Sequence, residues 1–461
     1  MISLSYREIA DAIGGKIAGL DPAAITSAEP IIDSRNSRPG TFFVALPGER
    51  VDGNDFARSA IESGAEFALM SANLGLPAII VSDVSRALIQ LATYVREKMS
   101  GCTFIAITGS QGKTTTKDLT GAILSSQAPT VIPQGSLNNE LGVPLTILRC
   151  DESTRYCVVE MGARHIGDIA TLMKIAQPTI GVVLVVGSAH VGEFGSPAAI
   201  AQAKSEIISG LPTEASAILG TYDPFTQAMA VPAGVKRVFF GEGPSADVRA
   251  ADIEIRGGYA HFDLVADGGR APVGLRLLGV HQIANALAAA AIALEVGLGI
   301  DLVAAQLSEA ELSSKWRMEL HELGELTVIN DSYNANPESM TAALKTLVLL
   351  AQESGGRSWA FLGKMHELGE LEGKAHLEIG RLASSLGVDH LVSIGTDLYF
   401  NGLERDDESA MTIHNLLTQE AALELFDNVE AGDVVLVKAS RAEHLDELAE
   451  KFLWNWQVSS E

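Results

Sequence analysis

Thr108-Gly109-Ser110-Gln111-Gly112-Lys113-Thr114-Thr115-Thr116-Lys117 decides how this 461-residue chain is read. The apolar, β-branched run Phe104-Ile105-Ala106-Ile107 before it reads as a buried strand. Behind it, Leu119, Ala122 and Ile123 recur at helical spacing. Strand, glycine turn, Lys-Thr and helix form the architecture of a phosphate-binding loop. Glycines let backbone N–H groups approach phosphate oxygens, the helix N-terminus adds partial positive charge, Lys113 reaches terminal phosphates and the Thr114 hydroxyl suits Mg²⁺. The usual G-x-x-x-x-G-K-[ST] pattern needs a glycine at position 107, where Ile107 stands, so the loop is a shortened T-G-x-x-G-K-T variant. A plain glycine turn with a solvated lysine accounts for the glycines but not for Lys-Thr opening a helix directly after a buried strand.

The chain is too long for one hydrophobic core. With 47% hydrophobic and 20% charged residues it has globular rather than disordered composition. A net charge of −25 repels phosphate backbones, which argues against a nucleic-acid partner and leaves an anionic nucleotide to be held by local donors and metal. Cys102, Cys150 and Cys157 show no metal-ligand spacing and read as buried free thiols of a reducing compartment. Ser5-x-x-Glu8 has the form of a helix capping box rather than a leader, and the most apolar run, Ile180 to Val186, is far too short to span a bilayer. The expectation is a soluble cytoplasmic protein without a membrane partner.

Three α/β domains are expected, over residues 1–84, 85–314 and 315–461. In the first, a helix from Tyr6 to Ile13 precedes the turn Asp33-Ser34-Arg35, a strand near Gly40 to Gly48, a helix from Phe56 to Ser63 and a strand from Ala78 to Val81. A linking helix, Ser85 to Lys98, leads to the phosphate loop. The central strands are Phe104–Ile107, Cys157–Glu160, Ile180–Val186, Ala217–Leu219 and Val238–Phe240, interleaved with helices as in a mostly parallel sheet. From Asp252 to Val273, glycine turns and short alternating strands suggest an antiparallel flap. The last domain repeats the alternation, with strands Leu326–Asn330, Ser358–Leu362, His390–Ile394 and Val434–Val437.

Ligands in open α/β sheets gather at the C-terminal ends of strands. Glu160 ends one strand and His190 follows another, so a carboxylate and an imidazole could meet a bound triphosphate as Mg²⁺ ligands. Asp331-Ser332-Tyr333-Asn334-Ala335-Asn336-Pro337, Lys315-Trp316-Arg317-Met318 and Lys438-Ala439-Ser440-Arg441 mark the same side of the third domain. By local reading, Lys204 is a solvated helix lysine and Asp33-Ser34-Arg35 an ordinary polar turn.

The phosphate loop, Gly135-Ser136-Leu137-Asn138-Asn139-Glu140-Leu141-Gly142, Glu160-Met161-Gly162, Ala189-His190, Ala203-Lys204, His281-x-x-x-Asn285 and Trp316-Arg317 together resemble the Mur ligases of peptidoglycan synthesis. The resemblance covers essentially the whole chain. It implies a small UDP-sugar-binding domain, a central ATPase-like domain and a Rossmann-like ligase domain. It implies that Thr108, Gly109, Ser110, Gln111, Gly112, Lys113, Thr114, Thr115, Asn285, Arg317 and Asp331 hold ATP. Thr114 and Glu160 would hold one Mg²⁺, and His190 with a carbamylated Lys204 a second, so that Lys113, Glu160, His190 and Lys204 carry the catalysis. This reverses the local reading of Lys204: an ammonium repels Mg²⁺, whereas a carbamate presents anionic oxygens. Asp33, Ser34, Arg35, Asn138, Asn139, Asn334, Asn336 and Ser440 would seat the other substrates. Within the family, Asp331 to Pro337 is similar to the last ligation step, which joins UDP-N-acetylmuramoyl-tripeptide to D-alanyl-D-alanine, here expected of a monomer. The alternatives are the preceding step, which adds diaminopimelate or lysine and whose Ala-His-Thr-Pro and Asp-Asn-Pro-Arg patterns are absent, a folylpolyglutamate-type ligase, or a nucleotide-binding regulator that does not ligate. Arg164 and Lys364 depart from the family's commonest residues.

Overall fold

Ser5 starts the first helix by the reciprocal bonding its spacing suggests: Ser5 Oγ accepts from the Glu8 N–H at 3.2 Å, and Glu8 Oε2 accepts from the Ser5 N–H at 2.9 Å. Tyr6, Ile9, Ala10 and Ile13 bury one face of Tyr6–Ile13, and Gly14, at φ 64°, ends it in the left-handed conformation. The computed structural model describes residues 1–48, 51–188, 191–267, 269–311, 314–402 and 411–460. The expectation for His190 lies outside the described residues.

The first sheet has five strands, in the order Lys16–Ala18, Ala78–Ile80, Ala68–Met70, Thr41–Val44 and Glu29–Ile31; only the first pairing is antiparallel. Alternation along Thr41–Val44 sends Phe42 and Phe43 to opposite faces. Phe42 stacks on Phe67 at 4.8 Å, while Phe43 joins a separate apolar cluster with Ala57 and Ala60. The linking helix, Val84–Lys98, is capped by Asp83 and buries Ala87, Leu88, Leu91 and Val95 between the first helix and the central helices Gly142–Ile147 and Asp168–Ala176.

The central sheet has nine strands. Its axis is Thr103–Thr108, paired in parallel with Tyr156–Glu160 on one side and Ile180–Val183 on the other. From that axis the chain builds outward in both directions, which makes the C-terminal end of Thr103–Thr108 a topological switch point and the natural crevice of the sheet. Two expectations are corrected. The strand expected to reach Val186 ends at Val183: Leu184 N still bonds Thr108 O at 2.9 Å, but Val185 O turns to accept from Ser110 N at 2.8 Å, so the chain leaves the sheet to pack on the phosphate loop. The expected flap is instead the sheet's own edge. Val248–Arg256 pairs in parallel with Lys236–Gly241 and continues as an antiparallel meander through Tyr259–Ala266 and Gly269–Leu278. Gly257 and Gly258, at φ 58° and 75°, make the tight turn between its first two strands.

The third sheet runs Glu319–Leu323, Leu326–Asn330, Val434–Lys438, Ser358–Leu362, His390–Ile394 and Thr412–Leu416, parallel except at the first pairing. Thr130–Val131, Ala68–Met70, Glu319–Leu323 and Thr412–Leu416 are strands the sequence pattern did not single out. The three cysteines are free and buried, as expected. Among the described residues, no helix is long and apolar enough to cross a membrane.

Candidate functional site

The phosphate loop leaves Thr103–Thr108, turns through Gly112 at φ 82° and enters Lys113–Ser125. A Cβ on Gly112 would lie 2.2 Å from Asn285 Oδ1, so only glycine lets the loop pass the helix Gln282–Glu295. Thr108 does not face the cleft: it is fully buried and its hydroxyl donates to Met161 O at 2.8 Å, fastening the loop's strand to the Glu160 strand. Lys113 donates to Gly109 O at 2.9 Å.

Around this loop lies one cleft of about 1140 Å³. It brings together Ser110, Gln111, Gly112, Lys113, Thr114, Thr115, Asn138, Asn139, Glu160, Lys204 and Asn285 from the central domain with Arg317, Asp331, Asn334, Asn336 and Ser440 from the third. Buried Glu160 holds its floor: Oε2 accepts from Thr114 Oγ1 at 2.9 Å and Oε1 from Asn138 Nδ2 at 2.8 Å. Thr114 Oγ1 also lies 3.1 Å from Ser136 Oγ, which accepts from Arg317 Nη2 at 3.0 Å. Ser136, which residue type alone does not mark, thus bridges the hydroxyl of the loop to the arginine of the third domain. Arg317 stacks on Tyr333 at 4.0 Å, and its buried Nε has no hydrogen-bond partner among the described residues, leaving a donor available to an anion.

The opposite wall follows from strand order. Leu326–Asn330 and Val434–Lys438 are neighbours, so their ends set Asp331 beside Lys438 in a 2.5 Å ion pair, and Lys438 also donates to Asn334 O at 2.8 Å. Ser440 Oγ accepts from the His366 N–H at 2.9 Å. Two of the expected substrate asparagines also carry structural duties. Asn139 Oδ1 accepts from Gly142 N at 3.0 Å, and Asn336 caps Pro337–Ser354 by accepting from Ser339 N at 2.8 Å.

Lys204 corrects the local reading outright. It is 2% exposed within Pro197–Ser209, and no described residue offers it a hydrogen bond or ion pair. Burial, and then the charge of Lys113, push its pKa well below that of an ordinary lysine. Burial lowers Lys113 too, while Glu160 pulls it back up. By contrast, Asp33-Ser34-Arg35 lies outside the cleft, with exposed Arg35 paired to Asp33 at 2.6 Å in a turn of its own. The family-departing Arg164 reaches Glu367 of the third domain at 3.2 Å, and Lys364 pairs with Glu372 at 2.6 Å.

The donor set suits a nucleotide and a hard cation: loop N–H groups, two cations for phosphate, and a hydroxyl sharing a carboxylate for Mg²⁺. Among the described residues, no group of three His, Cys, Asp or Glu side chains forms a metal cage of its own, so a metal here would rely on substrate oxygens as well. Fold and site define a phosphate-loop protein in which residues of a further α/β domain line the cleft beside the loop.

Residues 31–100 match the Mur ligase family catalytic domain, 107–293 the Mur ligase middle domain and 316–441 the Mur ligase glutamate ligase domain. The chain is 41% identical to the UDP-N-acetylmuramoyl-tripeptide–D-alanyl-D-alanine ligase of Mycobacterium tuberculosis, with 98% of each chain covered. The protein of the same name from Escherichia coli is 36% identical over 86% of each. Among solved structures, MurF from Acinetobacter baumannii superposes with a TM-score of 0.86 at 33% identity, covering 98% of this chain and 99% of that one. MurF from Thermotoga maritima in complex with ADP gives 0.78 at 29%, covering 94% and 99%. The chain belongs to the Mur ligase family.

Proposed function

We propose that this protein is the ATP-dependent ligase that joins D-alanyl-D-alanine to UDP-N-acetylmuramoyl-tripeptide, giving the pentapeptide precursor of peptidoglycan. One observation carries the reading: a single cleft sets the phosphate loop and the Thr114–Glu160 pair opposite the Asn334, Asn336 and Lys438 wall. High identity over nearly the full length of relatives bearing that name supports it.

In the proposed reaction, a carboxylate oxygen of the tripeptide attacks the γ-phosphorus of ATP, and the bond to the ADP oxygen breaks. The dipeptide amine then attacks the acyl carbon of the resulting acyl phosphate, loses a proton and expels phosphate. Lys113 and the N–H groups of Gly109 to Thr114 bind the phosphates, and the Nε of Arg317 supplies a further donor. Thr114 and Glu160 would hold one Mg²⁺, and His190 with a Lys204 carbamate a second, which would supply positive charge against the triphosphate. In this scheme Asn285 would contact the adenine and Asp331 the ribose. Asn334, Asn336 and Ser440 face the acceptor, and Asn138 and Asn139 the tripeptide. The turn Asp33-Ser34-Arg35 seats the UDP moiety from the first domain, residues 1–84, with 85–314 and 315–461 as the ATP and ligase domains. Seating of the third domain over the cleft keeps water from the acyl phosphate. The enzyme works as a monomer on cytoplasmic precursors.

Burial of Lys204 supports the proposed carbamate. An uncharged amine attacks CO₂ to give R–NH–COO⁻ and releases one proton, and burial favours the uncharged amine. Carbon-13 NMR under labelled CO₂ is expected to show a carbamate carbonyl that Lys204→Met lacks. A spectrum identical in both would remove the carbamate from the scheme. For the reaction as a whole, phosphate release is measured with ATP, Mg²⁺ and UDP-linked tripeptide, adding D-alanyl-D-alanine or free amino acids in turn. Release only with the dipeptide, together with a UDP-pentapeptide by mass, is expected. Release with diaminopimelate or lysine on a UDP-dipeptide would move the protein one step back, and binding without turnover would make it a regulator.

A further inference from the structure

Glu338 sits in the first turn of Pro337–Ser354, where an acidic side chain ordinarily does no more than favour the helix N-terminus from solvent. Here its carboxylate crosses to the central domain. Oε1 accepts from the Ser188 N–H at 2.7 Å, and Oε2 accepts from Ser188 Oγ at 3.0 Å. The preceding residue, Gly187, donates its N–H to Ser110 Oγ at 2.8 Å, and Ser110 N in turn donates to Val185 O at 2.8 Å. The approach is close. A Cβ on Gly187 would lie 2.9 Å from Glu338 Oε1 and 3.5 Å from Ser110 Cβ. Hydrogen bonds from the third-domain helix to Ser188 and from Gly187 to Ser110, joined by the Gly187–Ser188 peptide bond, therefore link that helix to a side chain within the phosphate loop. The same helix is capped by Asn336, which lines the acceptor wall of the cleft.

We propose that Glu338 is a positioning residue that ties the seating of the third domain to the shape of the phosphate loop, acting through Ser188 and Ser110. The inference rests on the ligase reading above. When the third domain is seated, Glu338 fixes the 185–188 segment, and that segment fixes Ser110 and the loop that receives the phosphates. When it is not, the segment loses a two-point, charge-assisted anchor and the loop is free to relax. ATP bound without a seated acceptor wall would then meet a loop poorly shaped for transfer, which keeps phosphoryl transfer in step with amide formation.

The test uses the full-length protein and compares Glu338→Ala, Glu338→Gln and Ser188→Ala with the parent. Two readouts are taken: KM for ATP against kcat, and phosphate released per amide bond formed. Glu338→Ala is expected to raise KM for ATP by about tenfold or more, the usual consequence of removing a charged hydrogen-bond partner, to lower kcat as the loop relaxes, and, because the third domain loses the same anchor and seats less firmly over the acyl phosphate, to release phosphate in excess of product. Glu338→Gln keeps an acceptor for the Ser188 N–H and is expected to fall between Ala and parent. Ser188→Ala, which loses only the hydroxyl, is the mildest substitution and shifts both readouts the same way even if the Ala variant at 338 does not fold. Calorimetric binding of a non-hydrolysable ATP analogue with Mg²⁺ gives a readout independent of the acceptor. Weaker binding in Glu338→Ala upholds the coupling even if the parent proves to ligate a different amine. Parental KM, parental stoichiometry and parental analogue binding in the variants would overturn it, as would a loss of kcat alone with the Gln variant no better than Ala.

Discussion

Two lysines are buried in the central domain, and their surroundings could hardly differ more. Lys117, 1% exposed on the helix that follows the phosphate loop, pairs with Asp118 at 2.7 Å and donates to Pro133 O and Gly135 O at 3.1 and 3.3 Å. Its charge is answered on the spot, and what it secures is the approach to Ser136 and Asn138. Lys204, 2% exposed, has no such company among the described residues and faces Lys113 across the cleft. Burying an amine without a partner is costly, and a fold that tolerates this leaves the group available for chemistry. Pairing, not burial, separates the lysine that holds structure from the lysine that can react.

That contrast predicts opposite outcomes for one substitution. If Lys204 carries the proposed Mg²⁺-binding carbamate, Lys204→Met is expected to cut ligation by on the order of a thousandfold, the loss of several kcal/mol of transition-state stabilisation, while leaving the melting temperature level or higher. A kinetic assay beside a thermal melt decides it; near-normal turnover would break the comparison. Lys117→Met should do the reverse in stability. It removes a buried ion pair together with two hydrogen bonds to Pro133 O and Gly135 O, seen as a fall of several degrees in melting temperature with a lesser loss of activity. An unchanged melt would mean that the pair holds nothing.

Smaller effects sharpen the same distinction. Burial holds His281 neutral down to about pH 4, with Asp331 pulling its pKa up and Lys438 pushing it down. Between the ordinary histidine value of about 6.5 and pH 4, the unfolded chain binds a proton that the folded one refuses, so stability falls as pH drops through that window. His281→Gln is expected to flatten that part of the melting-temperature profile. Smallest of all, Arg35→Ala removes an exposed ion pair and should leave the melting temperature where it was, while raising KM for the UDP substrate if the first-domain turn seats it.

The elements that place the crevice were legible from sequence because each carries its own local signal: β-branched runs for the strands, glycines and Lys-Thr for the loop, and Ser5 and Glu8 for the first cap. Leu326–Asn330, Ser358–Leu362 and His390–Ile394 came out with the boundaries their apolar runs suggested. What was not legible depends on partners distant in sequence. Helical spacing around Lys204 looks the same whether the lysine faces water or a cleft, and only the packing of Pro197–Ser209 against the sheet decides. Ser136 is unremarkable by type and matters only because Thr114 and Arg317 converge on it. The strand that stops at Val183 was overrun because Leu184 to Val186 are as apolar as the strand itself, although their backbone bonds serve the phosphate loop and Asp223. Strand Thr412–Leu416 alternates too weakly to declare itself beside its neighbours.

Gly192 and Gly369 meet backbone to backbone where the central and third domains touch. Gly192 N donates to Glu367 O at 3.2 Å, and a Cβ on Gly369 would come within 2.9 Å of Gly192 Cα. The seam at this point has no upholstery. Where most domain contacts cushion small misfits with side chains that can swivel, here the thickness of one methyl group separates a shut joint from one held ajar, as a pebble holds a door.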